Sequence, residues 1–285
     1  MGLLMPGVEA WAALEAAMVR VGPGMSAQAV GNTMFAFATL GLMPGPDARA
    51  ALEAAVDRVG PTMNPQELSN TLWSFITLAV TRGAPLPACY PSLWQMACWL
   101  DMDSLKDMDL YNLFHAYLMH TEFLVGGVRD FPGKVTFPPW ILHEAKAAWM
   151  RNVRDDFTVS RAHAEIAAII GELGVPHAVE RLTDDGYFSV DVYLPDGDVA
   201  LEVDGPFHFI NIAVRGDGGA PGGASRTSTR NVRTEMRDLF LARRHHAVVT
   251  VPWFEWGELR GRVEKRKYVA EMLRGAGVRV PSSAE

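Results

Sequence analysis

Residues 12–40 and 50–78 are two copies of one segment, offset by 38 positions. They share Ala-Ala-Leu-Glu-Ala-Ala, Arg-Val-Gly-Pro and the pairs Met25/Met63, Asn32/Asn70 and Phe37/Phe75. A weaker third copy sets Asn112, Phe114 and Tyr117 on Asn70, Leu72 and Phe75 at an offset of 42. A unit of this length cannot bury its apolar stripe alone and must stack on its neighbours. Each unit reads as two helices. The first ends at Arg58-Val59-Gly60-Pro61, where glycine suits a C-terminal cap and proline cannot continue the helix. The second starts at Asn64-Pro65-Gln66-Glu67, a cap residue followed by proline and an acid. Leu68, Leu72, Phe75 and Ile76 then fall on one face. The expectation is an α-helical repeat solenoid over residues 1–121, with Asn70, Trp73 and Phe75 packing inside it.

Residues 122–138 gather Gly126-Gly127, Pro132-Gly133 and Pro138-Pro139 and read as a linker. A second domain is expected over 139–285, opening with a helix at 140–153 and another capped by Ser160, which carries His163 and Glu165 on a solvated face. Two β-branched runs flanking Pro195-Asp196-Gly197 then form a hairpin. A two-residue loop sets Leu194 opposite Val199 and Asp191 opposite Glu202, and the period of two adds Asp204 to the same face. Like charges so placed need a counter-cation, a basic partner or open water. Residues 211–228 are glycine-rich and read as a loop. From Thr229 the pattern is helical, with Val232, Met236, Leu239 and Phe240 on one side and Arg230, Arg233, Arg237 and Arg244 on the other, a guanidinium stripe suited to phosphates. A buried strand at 247–251, an aromatic turn holding Trp253 and Trp256, and a closing helix at 262–274 complete the chain.

Charge sharpens this division. The net charge of -7 argues against a generic nucleic-acid binder. Residues 1–125, however, hold 5 basic against 11 acidic side chains, and residues 225–267 hold 11 against 5. Cys89 and Cys98 form no CxxC motif, so a disulfide scaffold and a structural zinc site are disfavoured. No apolar run reaches bilayer-spanning length and no secretory signal opens the chain, so no membrane partner is expected. The chain enters its first repeat at once, which suggests an incomplete N-terminus.

The 38-residue, two-helix period resembles the octotricopeptide repeats of organelle RNA-binding proteins, although their Pro-Pro-Pro-Glu-Trp string is absent. The segments VDVYLPDGDVALEVDGPFHF, the Arg-rich helix, VVTVPWFEW and KRKYVAEML occur in order over residues 160–274 and resemble a RAP domain, as found in FAST-kinase-family organelle proteins. The resemblance implies an α/β RAP domain with a restriction-endonuclease-like core. It also implies single-stranded RNA as partner and a mitochondrial or chloroplast location, though no transit peptide is visible in this chain.

In the nuclease-like enzymes a helical acid, a strand aspartate and an ExK-type strand bind a divalent metal. Carried over, Glu165, Asp191 and Glu202 are the metal candidates, and magnesium or manganese suits their oxygen donors. Asp204 stands where the lysine belongs, leaving His208 as a candidate base beside Asp191, Glu202 and Asp204. The expected function is organelle RNA binding in processing, stability or translation, through Arg230, Arg233, Arg237, Arg244, Trp253 and Trp256. A metal-dependent endoribonuclease, and a scaffold whose solenoid binds protein, are the alternatives.

Overall fold

The computed structural model describes residues 7–124, 137–155, 159–214 and 225–281. It divides into two compact units. In the first, α1 (Val8–Val21) and α2 (Ala27–Leu40) form one helical pair, α3 (Pro46–Val59) and α4 (Pro65–Arg82) the next, and α5 (Tyr90–Cys98) and α6 (Asp107–Met119) a third. The second helices stack in sequence, α2 on α4 and α4 on α6, while α1 packs on α3. With a neighbour on either side, α4 is buried around its whole circumference from Leu68 to Leu78. Its hydroxyls are satisfied locally: Thr71 donates to Glu67 O at 2.7 Å and Ser74 to Asn70 O at 2.6 Å.

The caps follow the sequence in part. Asn64 and Glu67 form a reciprocal capping box, 3.0 and 2.8 Å. Gly60, expected as a C-terminal cap, does end α3; it is right-handed at φ -45° and leads into a short 3₁₀ turn, Gly60–Thr62. Its counterpart Gly22 explains the residue type: an added Cβ would stand 3.2 Å from Ala51 Cβ, so glycine lets α1 and α3 approach.

The expected boundary shifts. Most of the proposed linker, residues 125–136, lies outside the described residues. The helix α7 (Pro139–Asp155), read from sequence as the opening of the second domain, packs with the repeats instead. Trp149 stacks on Tyr111 at 4.5 Å and Arg151 reaches Asp107 at 3.0 Å. The units part at Val153.

The second unit begins with α8 (Arg161–Glu172), capped by Ser160, and continues with β1 (Ala178–Leu182), β2 (Ser189–Leu194) and β3 (Val199–Asp204). Along the chain next come β4 (Phe209–Val214) and β5 (Ser225–Arg230), whose residues within Ile212–Thr227 group with the first unit, then α9 (Val232–Leu241), β6 (Ala247–Pro252), α10 (Trp253–Glu258) and α11 (Gly261–Gly275). The sheet order is β1-β2-β3-β6, antiparallel except for β3 and β6. The hairpin register is the expected one, with Leu194 opposite Val199 and Val192 opposite Leu201. Ile166, Ile169, Ile170 and Leu173 of α8 and Val269 and Leu273 of α11 join Val192, Leu194, Leu201 and Val203 in one core. Period two therefore turns Asp191, Glu202 and Asp204 to the other face. Two readings change: the glycine-rich segment is bounded by the strands β4 and β5, with residues 215–224 outside the described ones, and the helix after it starts at Val232 rather than Thr229. No described helix is long and apolar enough to cross a membrane.

Candidate functional site

The acidic face of the hairpin holds a guanidinium. Arg237, projecting from α9, places Nη1 3.0 Å from Glu202 and Nη2 2.8 Å from both Asp204 and Asp238. Arg230 at the end of β5 adds a second charge, 3.5 Å from Asp204, and bonds Asp238 and Thr250. The helix reaches this position because its apolar residues Val232, Met236 and Phe240 are buried, which leaves Arg237 on the strip facing the strand carboxylates.

Glu202, Asp204 and Asp238 share two guanidinium groups, and with Asp191 beside them the carboxylates outnumber the cations. Burial first, then the charges of Asp191 and Asp238, push Glu202 up to about 8, with Arg237 opposing. Glu202, Asp204 and Asp238 hold Arg237 well above the ordinary arginine value despite its burial. Asp191 is fixed through the backbone: its Oδ2 accepts from Val203 N at 2.6 Å, and its own N–H donates to Glu202 Oε1 at 3.3 Å.

The other residues picked out in the sequence disperse. His208 lies beside Asp204, 3.5 Å away, and shares a hydrogen bond of 3.0 Å with Thr234; burial, reinforced by the Arg237 charge, holds its imidazole below the ordinary value. Glu165 is not part of the carboxylate group. It pairs with Lys265 at 2.8 Å, and that hydrogen bond is the main reason its carboxyl sits below the usual range.

The four arginines do not form one open stripe. Arg237 is buried against carboxylates, Arg230 lies on a strand, and Arg244 follows α9, bonded to Asp185 at 2.7 Å with its guanidinium over Phe188. Arg233 is exposed, with no ion pair among the described residues. Trp256 is buried beneath Lys265, whose Nζ sits 4.7 Å over the ring, whereas Trp253 stays 45 % exposed.

Phe207, Asn231 and Glu180 escaped the sequence reading, and His163 was placed wrongly. Phe207, in the turn Pro206–His208, is 82 % exposed, and Asn231, the N-cap of α9, donates to its carbonyl at 2.7 Å. This tie holds the Phe207 backbone to the start of the helix that carries Arg233. His163, expected on a solvated face, is 2 % exposed and sits with Glu180 of β1 and Asp191. An exposed phenylalanine in a polar turn was the signal available for Phe207; β1, with charges at Glu180 and Arg181, gave none.

Residues 201–272 match the family model described as RAP domain. No curated protein matches the chain.

Proposed function

We propose that the chain binds single-stranded RNA through the exposed surface of its RAP domain. RAP domains are associated with nucleic-acid binding, and the match covers β3, α9, β6 and most of α11. The observation that carries the reading is the exposure of an aromatic and a cationic residue at the start of α9: Asn231, its cap, holds the Phe207 backbone by the carbonyl, and the exposed Arg233 follows two residues on. An exposed ring stacks on any unpaired base, and a neighbouring guanidinium neutralises phosphate. Trp253 offers a second exposed ring. Arg237 and Trp256, enlisted by the fold, are assigned no RNA contact.

The biological setting we infer is an organelle, where the chain directs processing, stability or translation of transcripts, the stacked helices supplying further surface. A mixed sheet with α8 and α11 on one face and a charged centre under α9 on the other supports a restriction-endonuclease-like ancestry for the core. Binding is favoured over cleavage because a guanidinium stands among Glu202, Asp204 and Asp238, where an oxygen-ligated magnesium ion would need open carboxylates. Ultraviolet crosslinking of the full chain to uridine-rich single-stranded RNA, mapped by peptide mass, tests this. Crosslinks at Phe207 or Trp253 are the expected result, and crosslinks confined to the repeats would overturn it.

A further inference from the structure

His163, Glu180 and Asp191 come from α8, β1 and β2, and each offers one ligand atom to a common point, all three within 4.8 Å of one another. The hydrogen bonds around them define the chemistry. His163 Nε2 lies 2.9 Å from the carbonyl oxygen of Asp191, which can only accept, so this nitrogen carries the proton. In the neutral imidazole, Nδ1 then presents a lone pair, and it faces Glu180 Oε1 at 3.4 Å. Two lone-pair donors held face to face require a positive centre between them.

We propose that this centre is a divalent first-row transition-metal ion, bound by His163 Nδ1 and the carboxylates of Glu180 and Asp191. Two ligands each about 2.1 Å from a tetrahedral ion stand about 3.4 Å apart, the separation found here for Nδ1 and Oε1. Every ligand is also held from behind, as metal ligands characteristically are. The imidazole donates its other N–H to a backbone carbonyl. Glu180 Oε2 accepts from Ser189 Oγ at 3.2 Å, and Asp191 Oδ2 accepts from Val203 N at 2.6 Å. Glu180 adopts φ 53°, a left-handed backbone between Val179 and Arg181, which keep their ladder partners Val192 and Val190. One nitrogen and two carboxylates suit zinc, cobalt or manganese and disfavour magnesium, which takes oxygen ligands and retains its waters. The site differs from the set implied by the nuclease resemblance: it shares Asp191 but uses neither Glu165 nor Glu202. It is independent of the RNA-binding reading.

The test is a titration of chelator-treated full-length protein with cobalt(II), followed by visible ligand-field absorption and by calorimetry, with zinc as competitor. One equivalent of cobalt is expected, displaced by zinc and indifferent to millimolar magnesium. Glu180→Gln should weaken binding more than about tenfold, and Ser189→Ala, which frees the Glu180 carboxylate, should weaken it less. Glu165→Gln, two residues along α8 and paired with Lys265, should leave it unchanged. Because His163 is buried and its replacement endangers the fold, the half-buried Glu180 decides the matter. Absence of stoichiometric binding, or binding indifferent to Glu180→Gln, would overturn the site and leave His163 and Glu180 as a direct pair.

Discussion

Arg237 is the residue on which the charged centre depends. Removing one partner from a buried ion network leaves the others uncompensated, so Arg237→Met should destabilise the chain by about 3–5 kcal/mol in denaturant titrations. Arg237→Lys, which keeps the charge but loses the forked geometry, should cost less. Glu202 gives the pH signature. Its folded value of about 8 lies above the ordinary carboxylate range, so between roughly pH 4.5 and 8 the folded chain holds a proton that the unfolded chain has lost. Its contribution to stability is intact below that window and falls as pH rises through it, by at most about 1.4 kcal/mol per unit. Glu202→Gln should flatten this decline in chelator-treated protein, and a melting profile equally steep in the variant would refute the assignment. The carboxylate face itself was legible, because Asp191, Glu202 and Asp204 follow from a turn and a period of two. Its counter-ion was not: Arg237 read as one of four similar arginines, and only the burial of Met236 and Phe240 selects which of them turns inward.

At the scale of elements, the repeat offset reappears as contact. Residues 42 positions apart bond across α4 and α6: Trp73 Nε1 donates to His115 Nδ1 at 2.9 Å, and Asn112 Nδ2 donates to Asn70 Oδ1 at 2.9 Å. At the other offset, Phe35 packs on Trp73 with ring centroids 5.0 Å apart. Equivalent positions stack in register, as a repeat array requires. Trp73→Phe should therefore cost about 1–3 kcal/mol, because it strands the buried His115 nitrogen, and a double-mutant cycle with His115→Leu should recover part of that loss. Additive effects would show that the bond contributes nothing. Helices with a strong period and glycine or asparagine boundaries were visible in the chain, as were strands rich in valine. The elements missed are those whose pattern is set by a partner. In β1, Ala178 and Val179 are exposed while Glu180 is drawn inward; β5 reads Ser-Arg-Thr-Ser-Thr-Arg, with no apolar alternation. Missing β1 also hid Glu180, and with it the group around His163.

Over the whole molecule, charge and function separate. The repeats carry an acidic excess and residues 225–267 a basic one, yet much of that basic charge is used within the fold by Arg230, Arg237 and Arg244. The segment's formal charge therefore overstates what RNA can meet: phosphate contact falls to Arg233, while the paired, partly buried arginines hold the structure. The direct measurement is the affinity of the full chain for a uridine-rich single strand as a function of salt concentration. Arg233→Glu should weaken binding for every sequence and lower the slope of log affinity against log salt by about one ion, with melting unchanged. An Arg233 variant that binds with wild-type affinity and an unaltered slope would contradict the account.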